Sequence, residues 1–215
     1  MIEMKVLASR EEWLANRKRI GGSDAAAIIG KNPYRSNVDL WKIKTEQMEA
    51  EDISQKPYVL YGTLAEPHIR ALFALDYQEY KVEYQENNMF FNSDYPFAHA
   101  SLDGWLTEIA TGRNGILEIK TTTILNSLQQ DKWRDQIPDN YYIQVLHYLM
   151  VTGFDFVELV ALLRYTNMDI PEQIRHYHIE RSDVKEDIEY LIDAERRFWW
   201  QVENKKEPAV ILPDI

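Results

Sequence analysis

The run Phe156-Val157-Glu158-Leu159-Val160-Ala161-Leu162-Leu163 is apolar at almost every position over the length of one strand. Such a strand is buried on both faces, so the run predicts a central position in a sheet covered on both sides. Its flanks agree. Pro138 starts a helix through about Val151 that Gly153 ends, and Gly112-Arg113-Asn114-Gly115 turns into a further strand at Ile116 to Thr121. Ile174 to Ile179 reads as an edge strand. The Ser182-Asp183 cap then opens a long helix to about Asn204, with Ile188, Leu191, Ile192, Phe198 and Trp199 in its apolar share.

Upstream the period is helical. Ser9-Arg10-Glu11-Glu12 is a capping box that starts a helix through about Arg17, with Trp13 and Leu14 on its buried side. Ile20-Gly21-Gly22-Ser23-Asp24 turns into a short helix that Ser23 caps and Gly30 closes; such a start favours a phosphate, and equally fits a plain capped helix. A third helix fits Ser36 to about Gln47 over Val38, Leu40, Trp41 and Ile43, and Glu46 to Lys56 is a solvated connection. Tyr61 to Tyr77 carries Leu64, Ile69, Leu72, Phe73 and Leu75 at helical spacing, which requires Pro67 in the first turn. Lys81 to Leu106 reads as short strands in a meander. Helices, strands, a helix, strands and a closing helix together predict an α/β or α+β chain with a mixed central sheet.

With 45% apolar residues, 12% aromatic residues and a formal charge of −11, the 215-residue chain is expected to fold as an acidic domain. Its lack of cysteine excludes disulfides, thiolate zinc sites, cysteine nucleophiles and Cys-ligated iron–sulfur clusters. No run approaches the roughly 20 apolar residues of a membrane helix, so the expected compartment is the cytoplasm, with no membrane partner. Net acidity disfavours general coating of nucleic acid but leaves room for bases clustered at one groove.

The chemistry-bearing feature is Asp103-Gly104 followed by Glu118-Ile119-Lys120. Strand alternation puts Glu118 and Lys120 on one face and Leu117 and Ile119 on the other. If the Asp103 strand pairs alongside, two hard oxygen ligands and a cation converge, as Mg²⁺-dependent phosphodiester cleavage requires. The Ile119 carbonyl is a further candidate ligand. The same spacing arises by chance in acidic chains, where a strand-face Glu–Lys pair is ordinarily solvated. His99, Ser101 and Asp103 also alternate onto one face, with His99 read as a wall of the site. His176 and His178 read as part of an exposed edge rather than a zinc site. Of Trp199 and Trp200, one is expected to face outward.

Further blocks accompany these: Trp13-x-x-x-Arg17, Ile20-Gly21-Gly22-Ser23-Asp24-Ala25-Ala26, Tyr61-Gly62-Thr63-Leu64-Ala65-Glu66-Pro67, Ser101-Leu102-Asp103-Gly104, Leu117 to Thr121, and Tyr142-Ile143-Gln144-Val145-Leu146-His147-Tyr148. In this order, over roughly Trp13 to Val151, they resemble the YqaJ family of viral recombinases. That family is related to bacteriophage lambda exonuclease within the PD-(D/E)xK nucleases. The resemblance implies a restriction-endonuclease-like core and a 5′-to-3′ exonuclease that degrades one strand of linear double-stranded DNA to 5′-mononucleotides. It also implies one or two Mg²⁺ ions, with Mn²⁺ as substitute, a homotrimeric ring and a single-strand annealing partner. Position by position, Asp103 and Glu118 match the metal carboxylates, Lys120 the catalytic lysine and Glu66 the helix-borne acid. Gln144 and Tyr148 match a Q-x-x-x-Y element, while Arg17, Ser23 and Ser101 match a pocket for the DNA 5′ phosphate. The stretch from Arg17 to Ile20 is one residue shorter than the family's spacing, and Arg17 is preferred to Arg19 because Trp13 lies four residues before it. The expected organisation is a single domain over 1–215, with a catalytic core at about 13–165 and a C-terminal strand and helix at about 174–204. A site- or structure-specific endonuclease and an inactive DNA-end or recombinase-partner binding module are the alternatives.

Overall fold

The computed structural model describes residues 1–166 and 172–212. Its elements run β1 (Ile2–Val6), α1 (Arg10–Asn16), α2 (Gly22–Ile28), α3 (Asn37–Lys44), α4 (Pro57–Asp76), β2 (Tyr80–Glu83), β3 (Asn88–Asn92), β4 (Gly104–Glu108) and β5 (Asn114–Ile124). They continue with α5 (Ser127–Asp131), α6 (Asp139–Thr152), β6 (Phe156–Tyr165), β7 (Glu172–Glu180) and α7 (Lys185–Glu203). The main sheet has the order β2-β4-β5-β6-β7. All neighbours are antiparallel except β5 and β6, which are parallel because the chain crosses over between them through α5 and α6. This is the expected mixed α/β architecture, with β6 inside and β7 at an edge.

Two cores flank the sheet. On one face Ile116, Val157, Leu159 and Ala161 pack with α2, α6 and α7; on the other Leu117, Ile119, Phe156 and Val160 pack with Ile69 and Phe73 of α4. That division follows from strand alternation. It leaves β5 between α4 and α6, both of which carry candidate site residues.

Several local expectations need correction. Residues 81–106 do not form a meander: β3 leaves the main sheet and pairs antiparallel with β1, a strand the sequence reading missed. Pro67 lies inside α4 rather than in its first turn, because Pro57 takes the opening position. The interior proline is tolerated because it and Thr63, whose carbonyl it leaves without an N–H donor, are both exposed, so water replaces the lost donor. Only Ile69 and Phe73 of the named α4 residues are buried; Leu64, Leu72 and Leu75 face outward, as does Leu14 of α1. Ser23 is not the cap of α2. Gly21 occupies that position, and its N–H donates to the Asp24 carboxylate at 3.1 Å. α7 begins after Val184 with no side-chain cap, and Trp200 is its outward tryptophan while Trp199 packs on the core.

Candidate active site and phosphate pocket

Asp103 sits immediately before β4, whose antiparallel register sets Gly104 opposite Leu117 of β5. The Asp103 carboxylate therefore reaches β5 and accepts the Ile119 N–H at 2.9 Å. Glu118 and Lys120 share the face toward α6, and the Lys120 ammonium lies 2.5 Å from Glu118 Oε1. The same oxygen accepts from the Gln144 amide at 3.0 Å, while that amide also donates to the Tyr148 hydroxyl at 2.8 Å. The i, i+4 spacing of Gln144 and Tyr148 puts both over the strand. Glu66, on α4, pairs with Arg70 one turn later, and Arg70 Nε donates to the Asp103 carbonyl at 2.6 Å. Arg70 was missed by the sequence reading, although its i, i+4 offset from Glu66 signals the pair.

The electrostatics of this group are unusual. Burial, with Asp103 beside it, pushes the Glu118 carboxyl up to about 8. Burial and the Asp103 charge push Glu66 up to about 7, and burial raises Asp103 as well. For Lys120 burial acts downward, but Glu118 and Asp103 outweigh it and hold the ammonium above its ordinary range. Glu118 is raised despite its lysine because burial, the larger cause, adds to the charges of Asp103 and Glu66. Glu118 Oε2 is buried with no hydrogen-bond partner. An oxygen-rich group short of positive charge, with a free buried carboxylate oxygen, fits a hard divalent cation such as Mg²⁺ held by one or two carboxylates. Among the described residues no three His, Cys, Asp or Glu side chains are grouped so that they could together hold a metal ion.

The residues expected to form a phosphate pocket lie at the C-terminal cap of α1, in the first turn of α2 and in the stretch before β4. Arg17 reaches Ser23 Oγ at 3.5 Å, and its guanidinium lies 4.6 Å from the centre of the Trp13 ring. Trp13 Nε1 donates to Ser101 Oγ at 3.0 Å, so the indole ties Arg17 to Ser101. Arg10, which the sequence reading did not single out, lies over the same ring at 4.1 Å. Arg19 departs from this group and lies 4.8 Å over Phe91. The structure thus brings Arg17, Ser23 and Ser101 together and separates Arg19 from them.

Gly22 connects the two groups. A Cβ there would stand 2.4 Å from the Tyr148 ring and 3.0 Å from Gln144 Cγ, so α2 packs directly on the residues that hold Glu118. Beneath the turn, buried His99 lies against Gly21 and is neutral, its pKa pushed down to about 3 by burial and by His147. His147 of α6 bonds Glu195 of α7 at 2.7 Å through one ring nitrogen and faces the His99 carbonyl at 2.9 Å through the other. His99 is therefore a wall residue, as expected. On β7, His176 stacks near Phe73 and Tyr77, whereas His178 bonds both Glu158 and Glu180.

Residues 12–155 match the YqaJ-like viral recombinase domain. The chain is 33% identical over 194 residues to the uncharacterized protein YqaJ of Bacillus subtilis (strain 168), covering 89% of this chain and 56% of that protein. It thus spans about half the length of the curated relative it matches. Its fold is similar to that of an alkaline exonuclease (LHK-Exo) from Laribacter hongkongensis, at 19% identity and a TM-score of 0.63, covering 91% of this chain and 96% of that one. LHK-Exo in complex with dAMP matches over the same shares at 20% identity and a TM-score of 0.64. A phage related exonuclease from Haemophilus somnus 129PT matches at 14% identity and a TM-score of 0.52, over 87% of this chain and 96% of that one. These structures establish the shared fold, and the match over residues 12–155 establishes kinship: the chain belongs to the YqaJ-like viral recombinase domain family.

Proposed function

We propose that this chain is a Mg²⁺-dependent 5′-to-3′ exonuclease that degrades one strand of linear double-stranded DNA to 5′-mononucleotides in phage or prophage recombination. The observation that carries this reading is the unpartnered Glu118 Oε2 among three carboxylates with raised pKa values, beside a charged Lys120. Asp103 and Glu118 would hold the ion, with the Ile119 carbonyl and Glu66 completing its surroundings. When bound, the ion supplies charge neutralisation at the scissile phosphate and a more acidic water. Lys120 places a fixed positive charge beside the same phosphate and stabilises the charge that develops on it. Gln144 holds Glu118 through Oε1, the oxygen that also pairs with Lys120. Arg70 fixes the Asp103 backbone and keeps Glu66 close.

Arg17 and Ser23, with Ser101 behind Trp13, form the pocket for a terminal phosphate, which fixes the cut relative to a DNA end. Kinship with the recombinase family supports this reading, as does the fold shared with proteins named as exonucleases, one of them holding dAMP. The proposal extends to a cytoplasmic homotrimeric ring, Mn²⁺ as a substitute ion, a single-strand annealing partner and one domain over the chain. Leu60, Leu64, Leu72 and Leu75, exposed along α4, are apolar surface that assembly would cover. No helix among the described residues is long and apolar enough to cross a membrane.

Strand-specific labels on duplexes with 5′-phosphate or 5′-hydroxyl ends test the polarity. Wild type should digest the 5′-phosphorylated strand faster, and Arg17→Ala should lose that preference by about tenfold or more, matching one charge-assisted contact. Internal cutting, or a full preference in Arg17→Ala, contradicts the reading.

A further inference from the structure

A cleft of about 470 Å³ opens between the end of α1 and the β1–β3 ribbon, lined by none of Arg17, Ser23 and Ser101. Its lining holds Lys5, Lys18 and Arg19 against one carboxylate, Glu3. That ratio reverses the balance of a chain with 35 acidic and 24 basic residues. Phe91 is the platform of the cleft: Arg19 lies 4.8 Å and Lys5 5.6 Å from its ring centre. No carboxylate of the described residues is in ion-pair contact with Arg19. Lys5 and Lys18 make only exposed pairs, to Glu3 at 3.5 Å and Glu46 at 3.6 Å, of the kind that contributes little. A cation resting on a ring keeps its charge and its outward donors available to an anion.

We propose that this cleft binds a single DNA strand by its phosphodiester backbone. Grooves that track a strand combine aligned cations with aromatic surface, and this one has both. Phe91 in its lining is a ring of the kind unpaired bases stack on, which a duplex with its bases stacked inside does not use. Binding here needs neither metal nor cleavage, and it stands or falls apart from the nuclease reading.

The test measures anisotropy of a labelled 5′-hydroxyl oligothymidylate in EDTA between 50 and 200 mM salt. The triple variant Lys5→Ala, Lys18→Ala, Arg19→Ala should bind about tenfold more weakly at the lowest salt. Its plot of log affinity against log salt should be shallower by about two, since each single-strand phosphate contact contributes roughly 0.7. Arg19→Gln alone should give about a third of that change. A control with the same loss of charge elsewhere, Lys132→Ala, Lys185→Ala, Lys206→Ala, should keep the wild-type slope. Unfolding midpoints of all variants report whether each is folded. The proposal is overturned if the triple variant keeps the wild-type slope, if the control loses as much, or if a polyglutamate peptide displaces the strand as well as unlabelled oligonucleotide does. A protein that binds as described but never cuts DNA would refute the nuclease reading alone.

Discussion

Glu118 shows how one buried side chain is held for chemistry. Lys120 and Gln144 both engage Oε1, leaving Oε2 with no hydrogen-bond partner among the described residues. Lys120→Ala should lower DNA cleavage by at least about a hundredfold, the scale of removing one positioned charge from a transition state, while oligonucleotide binding in EDTA persists. Gly22→Ala should act differently. Its methyl group would run into the Tyr148 ring, so α2 or α6 must shift, at a cost of about 1–3 kcal/mol in urea unfolding. The core residues were legible because their signals are periodic: alternation pairs Glu118 with Lys120, and helical spacing pairs Gln144 with Tyr148. The Arg70 contact with Asp103 was not, because it joins residues 33 apart that only folding brings near, although the i, i+4 and i, i+3 offsets that pair Arg70 with Glu66 and Arg10 with Trp13 are local.

At the scale of elements, β5 holds the site because α4 and α6 clamp its two faces. Phe73→Ala would empty the α4 side, where this ring packs with Tyr77 and Tyr80, and should cost about 3–5 kcal/mol by denaturant unfolding. The clamp on the other side depends on the buried His147–Glu195 pair. Burial acts to lower the His147 pKa, but the Glu195 carboxylate outweighs it and raises the value above the usual 6.5. A raised folded value means the pair contributes its full stability below the unfolded histidine pKa and loses it as pH rises through the folded one. Unfolding free energy should therefore fall as pH rises above about 6.5 and through the raised folded value, and His147→Gln should flatten that part of the profile. A fall of equal slope in the variant would assign it to other groups. The paired elements β1 and β3 escaped the sequence reading because turn residues mark where strands end, not which strand pairs with which. The exposure of Leu64, Leu72 and Leu75 escaped it too, since helical spacing does not distinguish one covered stripe from two.

Across the whole molecule, a net charge of −11 coexists with two local concentrations of cation, Arg10 and Arg17 on Trp13 and Lys5 and Arg19 on Phe91. Long-range repulsion of DNA by the acidic exterior is screened at physiological salt, whereas contacts at the aromatic platforms act at short range. Light scattering should report a particle of three 25.4 kDa chains if the ring forms, and a single chain would remove that part of the proposal. The central claim is that Asp103, Glu118 and Lys120 make a metal-dependent phosphodiesterase, and nucleotide release from a 5′-phosphorylated linear duplex tests it most directly. Wild type should release 5′-mononucleotides in Mg²⁺, none in EDTA, and Lys120→Ala should release almost none in either. Release that persists in EDTA, or at the wild-type rate in folded Lys120→Ala, would contradict the account.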